Sequence, residues 1–402
     1  MSIITRTLLL LSLLAGLPIS AYCAMGKMPI IAYCGVPDWK TSDGNFRTFS
    51  ECGFMVSLYP SYESLDLLVR ACRYADKYGV KVIGRCPEME KSPEAVAGIL
   101  KKEPGFFGYM IQDEPSVPDL RLRENEIKRL KAIDSTHIFY INLHPFYHQS
   151  WIEPTLKVKT YPEYLRAASA TSCKQISFDH YPVTTAGIRP TWYHNLEMVR
   201  QESLHSGKPF WGFVLSVPHD VPFTPNTYYP TPTLASLRLQ IYSNLAYGAQ
   251  AIQYFTYWIS YSKNFNYHDA PIDKDGKKTK TYFLVQQMNR ELKSVAPLFY
   301  GAKVLSVNHM VVIPEGTSRL TKVPLNLASL TVSGRAGAVV SQLQKGGHRY
   351  LAIVNKNLKG SMKVKIKTQN NVPRHITKQL KEEPMKTSYT VPSGDLLLFR
   401  LN

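Results

Sequence analysis

Residues 106–116 read FFGYMIQDEPS. An apolar, aromatic run with Gly108 inside it stops abruptly at Asp113-Glu114-Pro115. The run has the length of one buried strand, and Pro115, which has no N–H, cannot prolong a hydrogen-bonded ladder. Two acids therefore stand where a buried strand ends, beside an enforced turn. In a parallel barrel that position faces the active-site mouth.

Working outward, strand-like and helix-like segments alternate on both sides of this stretch. Upstream, 29–39 (PIIAYCGVPDW), 54–60 (FMVSLYP) and 80–87 (VKVIGRCP, counted from Val80) read as strands, with helices at 64–79 and 92–105. Downstream, a charged helix at 119–133 leads to strands 137–145, 175–183, 208–220 and 251–260, with helices at 161–171, 191–207 and 233–249. Ser92 marks a helix start, and Gly79 and Gly207 mark helix stops. Eight apolar strands joined by crossover helices are most economically a (β/α)8 TIM barrel. A doubly wound open sheet is the alternative, but the chain has neither a GxGxxG nor a Walker loop. After a helix that starts at 281, the period shortens to alternating strands such as 349–357 and 395–401, split by turns such as KGG and PSGD. That pattern predicts a small all-β sandwich. The expected organisation is a leader at 1–24, a barrel at 25–300 and a sandwich at 301–402.

The first two dozen residues place Arg6 ahead of the run LLLLSLLAGLPI and small residues near Ala24. This is the pattern of a secretory signal peptide, predicting a periplasmic, extracellular or cell-surface protein. A lipid anchor at Cys23 is the other form of processing, although Tyr22 is bulky for it. With Cys23 in the leader, five cysteines remain, none in CxxC or zinc-ligand spacing, and buried free thiols are expected. The net charge is +18, but residues 301–402 carry 16 Lys/Arg against 4 Asp/Glu, leaving only +6 on the rest. The basic surplus thus lies away from the acidic strand ends. With no nucleic-acid motif, nucleic acid is excluded as a partner. No segment after the leader is apolar enough to span a membrane. The oligomeric state is not readable from the sequence.

In a barrel, the carboxyl ends of the strands share one pocket. They bring together Asp38, Trp39, Tyr59, Glu88, Asp113, Glu114, Asn142, His144, Asp179, His180, Tyr181, Ser216, His219, Tyr254, Thr256 and Trp258. Carboxyls, amide, imidazoles and aromatic rings in one pocket describe a carbohydrate site. Rings stack on sugar faces, and hydrolysis needs one protonated carboxyl at the leaving oxygen and a second carboxylate across the ring. A neighbouring carboxylate and partial burial raise the proton affinity of the donor.

FFGYMIQDEPS resembles the strand-4 segment of clan A glycoside hydrolases, in which an Asn-Glu-Pro or Asp-Glu-Pro sequence carries the acid/base Glu. DHYP after strand 6, NLAYGAQAIQYFTYW into strand 8 and the terminal sandwich also resemble beta-galactosidase-like members. The resemblance implies that Glu114 is the acid/base and that Trp258 is the aromatic under the sugar. Asp113 stands where many members have Asn. The chain departs from the pattern at strand 7, where FWGFVLSVPHD has no Glu for a nucleophile; Glu202 sits back in the preceding helix. Asp179, at the end of strand 6, is the leading second carboxylate, with Asp220 and Glu88 behind it. The expected function is an exported glycoside hydrolase without a cofactor. Asp38, Trp39, Asp113, Asn142, His144, His180, Tyr181, Tyr254 and Trp258 would bind the carbohydrate. The rivals are a non-catalytic carbohydrate-binding barrel and a metallohydrolase using His144, His148, His180 and Asp179, though no His-x-His pair supports the latter.

Overall fold

The computed structural model describes residues 25–220, 226–260 and 265–402. The leader at 1–24, including the Cys23 anchor position, lies outside these. Eight parallel strands close into a barrel. They are β1 (Ile30–Tyr33), β2 (Val56–Tyr59), β3 (Lys81–Gly84), β4 (Phe106–Asp113), β5 (Ile138–Leu143), β6 (Ile176–Phe178), β7 (Phe210–Leu215) and β8 (Ala251–Phe255). Strand β8 closes on β1 in the register Ile30↔Ile252 to Tyr33↔Phe255. A helix follows each strand: α1 (Asp43–Glu51), α2 (Leu65–Asp76), α3 (Pro93–Leu100), α4 (Val117–Ile133), α5 (Tyr161–Ser169), α6 (Trp192–Ser206), α7 (Leu234–Tyr247) and α8 (Lys280–Phe299), with a further short helix, Gln149–Leu156, ahead of α5. The barrel and the sandwich predicted from the sequence are both present. Strands β7 and β8 are shorter than their predicted ranges, ending at Leu215 and Phe255. Helix α1 was not anticipated, because it is short and buries only Phe46 and Phe49; its start signal is Ser42, whose side chain accepts from the Asn45 N–H.

The strands are apolar on both faces because both are covered. Ile31, Val56, Leu58, Ile83, Phe107, Met110, Ile138, Tyr140, Trp211 and Phe213 fill the inside. Ile30, Val82, Tyr109, Phe139, Ile141, Phe178, Val214, Ile252 and Tyr254 pack outward against the helices. In β4 the pairing with β5 shifts between Met110 and Gln112, a β-bulge. Simple alternation from inward-facing Met110 would turn Gln112 inward and Asp113 outward. The extra residue inverts that phase, as bulges do. Gln112 accepts from Arg123 Nε of α4 at 2.8 Å, and Asp113 enters the mouth.

The chain turns from β4 into α4 through a capping box. The Ser116 hydroxyl accepts from the Asp119 N–H, and the Asp119 carboxylate accepts from the Ser116 N–H. Beyond α8, β9 (Lys303–Met310), β11 (Ala338–Lys345), β12 (His348–Asn355), β14 (Arg374–Ile376), β15 (Glu382–Glu383) and β17 (Leu396–Arg400) form a six-stranded sheet. Strands β10 (Leu327–Val332), β13 (Met362–Thr368) and β16 (Ser388–Val391) form a three-stranded one. Leu330, Val340, Ile353, Val364, Ile366 and Phe399 lie in the core between the sheets. Strand β13 alternates buried and exposed residues, so its Lys363, Lys365 and Lys367 face water. That is where part of the C-terminal positive charge resides. The sandwich is tied to the barrel by Arg238 of α7, Glu291 of α8, Lys378 and Asp395, which form one ion-pair network. Among the described residues, no helix is long and apolar enough to cross a membrane.

Candidate active site

A cavity of about 760 Å³ opens at the carboxyl ends of the strands, within the usual size range of ligand pockets. Three carboxyl groups line it: Asp113, Glu114 and Asp179. Asn142, at the end of β5, stands between the two aspartates. Its Nδ2 donates to Asp113 Oδ1 at 3.1 Å and to Asp179 Oδ1 at 2.9 Å, so those two oxygens lie no more than about 6 Å apart. The amide is oriented from inside the barrel. Ser177 Oγ donates to Asn142 Oδ1 at 3.1 Å, and Gln253 Nε2 donates to Ser177 Oγ at 2.8 Å. Tyr140 in turn donates to Gln253 Oε1 at 2.7 Å. A chain of hydrogen bonds across β5, β6 and β8 therefore leaves the Asn142 amine no direction but toward the acids.

Asp113 is held on its other side by the Tyr33 hydroxyl, which donates to Oδ2 at 2.8 Å. It is open to the water of the cavity yet enclosed by protein on most sides. Burial, and next the charge of Glu114, raise its pKa to about 6, although the hydrogen bonds from Tyr33 and Asn142 pull the other way. Asp179 is buried, and burial followed by the Glu114 and Asp113 charges raises its pKa well above the ordinary carboxyl range. Neighbouring carboxyls disfavour one another's ionisation, and burial adds most to this at Asp179.

Glu114 lies past the end of β4 with φ +46°, in the left-handed region that non-glycine residues seldom occupy. Its N–H donates to the Asn142 carbonyl at 2.8 Å, which holds it there. Conformations of this kind persist where surrounding structure over-determines them and concentrate at functional sites. The side chain is 39% exposed, and Oε1 lies 3.1 Å from His144 Nδ1. Two tyrosines of α5, one turn apart, fix both loops: Tyr161 donates to the His144 carbonyl and Tyr164 to the Pro115 carbonyl. Glu114 thus has a fixed backbone and a side chain free to meet solvent and ligand.

The remaining walls are aromatic. Tyr33, Tyr181, Phe213 and Phe255 cluster beside Asp113, with Tyr33 ring centroids 5.8 Å from Phe213 and 6.0 Å from Phe255. Tyr147, Trp151, Tyr229 and Tyr267 form the outer wall. Arg189 reaches in between them, its guanidinium 4.8 Å from the Tyr147 ring and donating to the Tyr229 hydroxyl at 3.0 Å.

Of the residues predicted from the sequence, Asp113, Glu114, Asn142, His144, Asp179, Tyr181, His148 and His219 line the cavity. Five predicted binding residues do not. Tyr254 faces the helices, edge-on to Phe54 at 5.2 Å, because β8 alternates with Phe255 inward. Trp258 lies beyond the end of β8; it is buried outside the barrel wall, bridged to Ile272 and packed beside Tyr257. Its expected place is taken by Phe255, three residues earlier. His180 is buried behind the wall with Nδ1 2.9 Å from Asn195 Oδ1, and burial lowers its pKa to about 3, so it is neutral. Asp38 accepts from the Trp39 N–H in its own loop and from the Glu63 N–H in the loop after β2, tying the two together. Trp39 is 64% exposed and does not line the cavity. Glu88, a reserve candidate, caps α2 by accepting from the Leu65 N–H at 3.0 Å. Asp220 lies outside the lining as well.

The metallohydrolase arrangement does not form: His148 Nδ1 faces Ser150 Oγ, and His180 faces Asn195. Among the described residues no group of three His, Cys, Asp or Glu is placed to hold a metal ion. Cys34, Cys52, Cys72, Cys86 and Cys173 are free, as anticipated, and all but Cys34 are buried. Missed by the sequence reading were Tyr33, Tyr147, Trp151, Arg189, Phe213, Tyr229, Phe255 and Tyr267. The register Tyr33↔Phe255 puts two of them level at the mouth, a relation that strand parity alone could have suggested.

Comparison with known proteins points the same way as the geometry. Residues 125–295 match the family model described as Beta-galactosidase. The matched segment runs from α4 to α8 and includes Asn142 and Asp179 but neither Asp113 nor Glu114. The beta-galactosidase of Bacillus circulans sp. alkalophilus is similar in fold, with TM-score 0.62 and 11% identity over 94% of this chain and 99% of that one. The beta-galactosidase of Rahnella sp. R3 has TM-score 0.60 and 12% identity over 92% and 98%. A glycoside hydrolase family 5 protein of Bacteroides vulgatus ATCC 8482 has TM-score 0.58 and 11% identity over 94% and 89%. At such identities the likeness is one of fold. A comparison with curated protein sequences returns no match. The chain resembles the clan A, beta-galactosidase-like glycoside hydrolases in its barrel, its terminal sandwich and its central segment.

Proposed function

With the glycosidase assignment that the family match and the barrel support as premise, we propose that this enzyme hydrolyses O-glycosidic bonds with Glu114 as proton donor. The Asp113–Asn142–Asp179 cluster would face the anomeric centre. The observation that supports this reading best is the convergence of three carboxyls on one aromatic cavity at the strand ends. Glu114 is the one of the three that combines solvent access with a fixed backbone and a hydrogen-bonding imidazole at 3.1 Å. It can therefore load a proton from water and pass it to a leaving oxygen. Burial and the Glu114 and Asp113 charges favour the uncharged form of Asp179. Asp113, held by two donors, supplies the charge that stabilises an oxocarbenium-like centre. The substrate is an oligosaccharide or glycan side chain; the aromatic walls give its rings flat apolar surfaces.

Export is part of the same proposal, resting on the leader pattern at 1–24, and a mature N-terminus found near residue 25 by peptide sequencing would support it. The function is tested with a panel of aryl glycosides on the wild type and on Glu114→Gln. Turnover that the substitution abolishes supports the assignment. Sugar-dependent thermal stabilisation without any turnover would instead favour a non-catalytic binding barrel, the reading that the acid-free end of β7 keeps open.

A further inference from the structure

Among the described residues, the carboxyls that line the cavity beside Glu114 are Asp113 and Asp179, and none comes from the end of β7. Strand β7 is followed by Ser216, whose buried hydroxyl is donated to the Thr256 carbonyl at 2.8 Å. Asp179 shows only 8% of its surface and already accepts from Asn142 and Tyr181. Burial and the neighbouring Glu114 and Asp113 charges favour its protonated form, which does not attack carbon. Asp113 is the acid left to ionise, but it is the residue next to Glu114. Consecutive Cα atoms are about 3.8 Å apart, so both side chains rise from one lip of the barrel. A protein nucleophile or base must instead stand across the sugar ring from the donor.

Resting on the glycosidase reading, we propose that the substrate is a 1,2-trans-linked 2-acetamido sugar that supplies its own nucleophile, with Glu114 as acid/base and Asp113 holding the amide N–H. A lone pair of the acetamido oxygen forms a bond to the anomeric carbon as the glycosidic C–O bond breaks. The departing oxygen takes its electron pair and the Glu114 proton, leaving as a neutral alcohol. The sugar becomes a fused oxazolinium ring, whose positive N–H hydrogen-bonds to the Asp113 carboxylate. Each Asp113 oxygen uses one acceptor site for Tyr33 or Asn142, so acceptor capacity remains. Water then gives a proton to the Glu114 carboxylate and its oxygen attacks the anomeric carbon. The ring C–O bond returns its electrons to the acetamide, and the anomeric configuration is retained. The apolar rings of Phe213 and Phe255 next to Tyr33 seat the acetamido methyl. Asp113 beside Glu114 is thereby a second functional acid, and the missing acid on β7 is no defect.

The test compares 4-nitrophenyl β-glycosides of 2-acetamido-2-deoxyglucose and 2-acetamido-2-deoxygalactose with the parent glucoside and galactoside, using the full chain. Turnover should be confined to at least one acetamido compound, and kcat/KM should fall progressively as the acetyl group is replaced by mono-, di- and trifluoroacetyl. Asp113→Asn, checked for an unchanged melting profile, should lower kcat by at least about 10²-fold. Comparable turnover of the parent glycosides, with a covalent glycosyl–enzyme trapped by a 2-fluoro sugar, would overturn this inference and leave the glycosidase reading standing. Absence of turnover with both series, alongside sugar binding, would overturn both.

Discussion

Replacing Glu114 by Gln removes one transferable proton and almost nothing else. The amide has the same shape, the backbone at φ +46° is held by the Glu114 N–H bond to Asn142, and the side chain is 39% exposed. The substitution alters only the contact with the His144 imidazole, and a partly exposed contact of this kind contributes about 0–1 kcal/mol. The melting temperature should therefore move by no more than about 2 °C in a chain this long. Catalysis should respond differently according to the leaving group. A sugar alcohol cannot depart without a proton, so kcat should fall by about 10²–10⁴-fold, an added barrier of about 3–5 kcal/mol. A dinitrophenolate leaves without help, so cleavage of a dinitrophenyl glycoside should begin at near wild-type rate and then stall at the step where water must be deprotonated. Stopped-flow release of the phenol, run beside differential scanning calorimetry, reads both effects. Equal losses for the alcohol and the dinitrophenol would refute the assignment, as would a variant within tenfold of wild type on a disaccharide.

The raised proton affinity of Asp179 makes stability depend on pH. As pH rises through the ordinary carboxyl range, the unfolded chain loses a proton that the fold retains, so stability falls across that window up to the folded pKa. Asp179→Asn cannot ionise; it should melt higher than wild type at about pH 8 and converge with it near pH 3, and a variant less stable at both would contradict the buried, protonated state. Tyr33→Phe deletes a donor to the Asp113 carboxylate. The Asp113 pKa should climb from about 6, moving the acidic limb of the rate profile to higher pH with about a tenfold loss in kcat/KM; a limb that moves to lower pH would be the wrong sign. Trp258→Phe should cost about 1–2 kcal/mol in denaturant unfolding through poorer packing while leaving KM unchanged, and a several-fold rise in KM would return Trp258 to the cavity.

The barrel was legible because it is written many times over. Eight apolar runs, each spaced from the next by a helix, leave few other ways to cover both faces of parallel strands. The ends of strands were legible where chemistry interrupts the apolar run, as at Asp113-Glu114-Pro115, Asn142 and Asp179. Strand 8 carried no such mark. AIQYFTYWIS is aromatic throughout, so neither its phase nor its end could be read, and Tyr254 and Trp258 were placed in the cavity in error while Phe255 was overlooked. The aromatics Tyr147, Trp151, Tyr229 and Tyr267 and the cation Arg189 come from the connections between barrel strands and helices, and their convergence depends on the paths of those connections.

By itself the sequence determined the fold class, the β4 acids and the absence of a Glu at the end of β7, because these follow from residue type and order. The tertiary structure alone decided which way the acids point and which of them hold protons. A bulge in β4 turns Asp113 into the mouth against simple alternation. A hydrogen-bond chain from Tyr140 through Gln253 and Ser177 aims Asn142 at two carboxyls. Burial then raises the proton affinity of Asp179 most, while the hydrogen bonds from Tyr33 and Asn142 hold down that of Asp113. Each of these depends on neighbours from strands far apart in the chain, and proton affinity is set by those neighbours and by access to water.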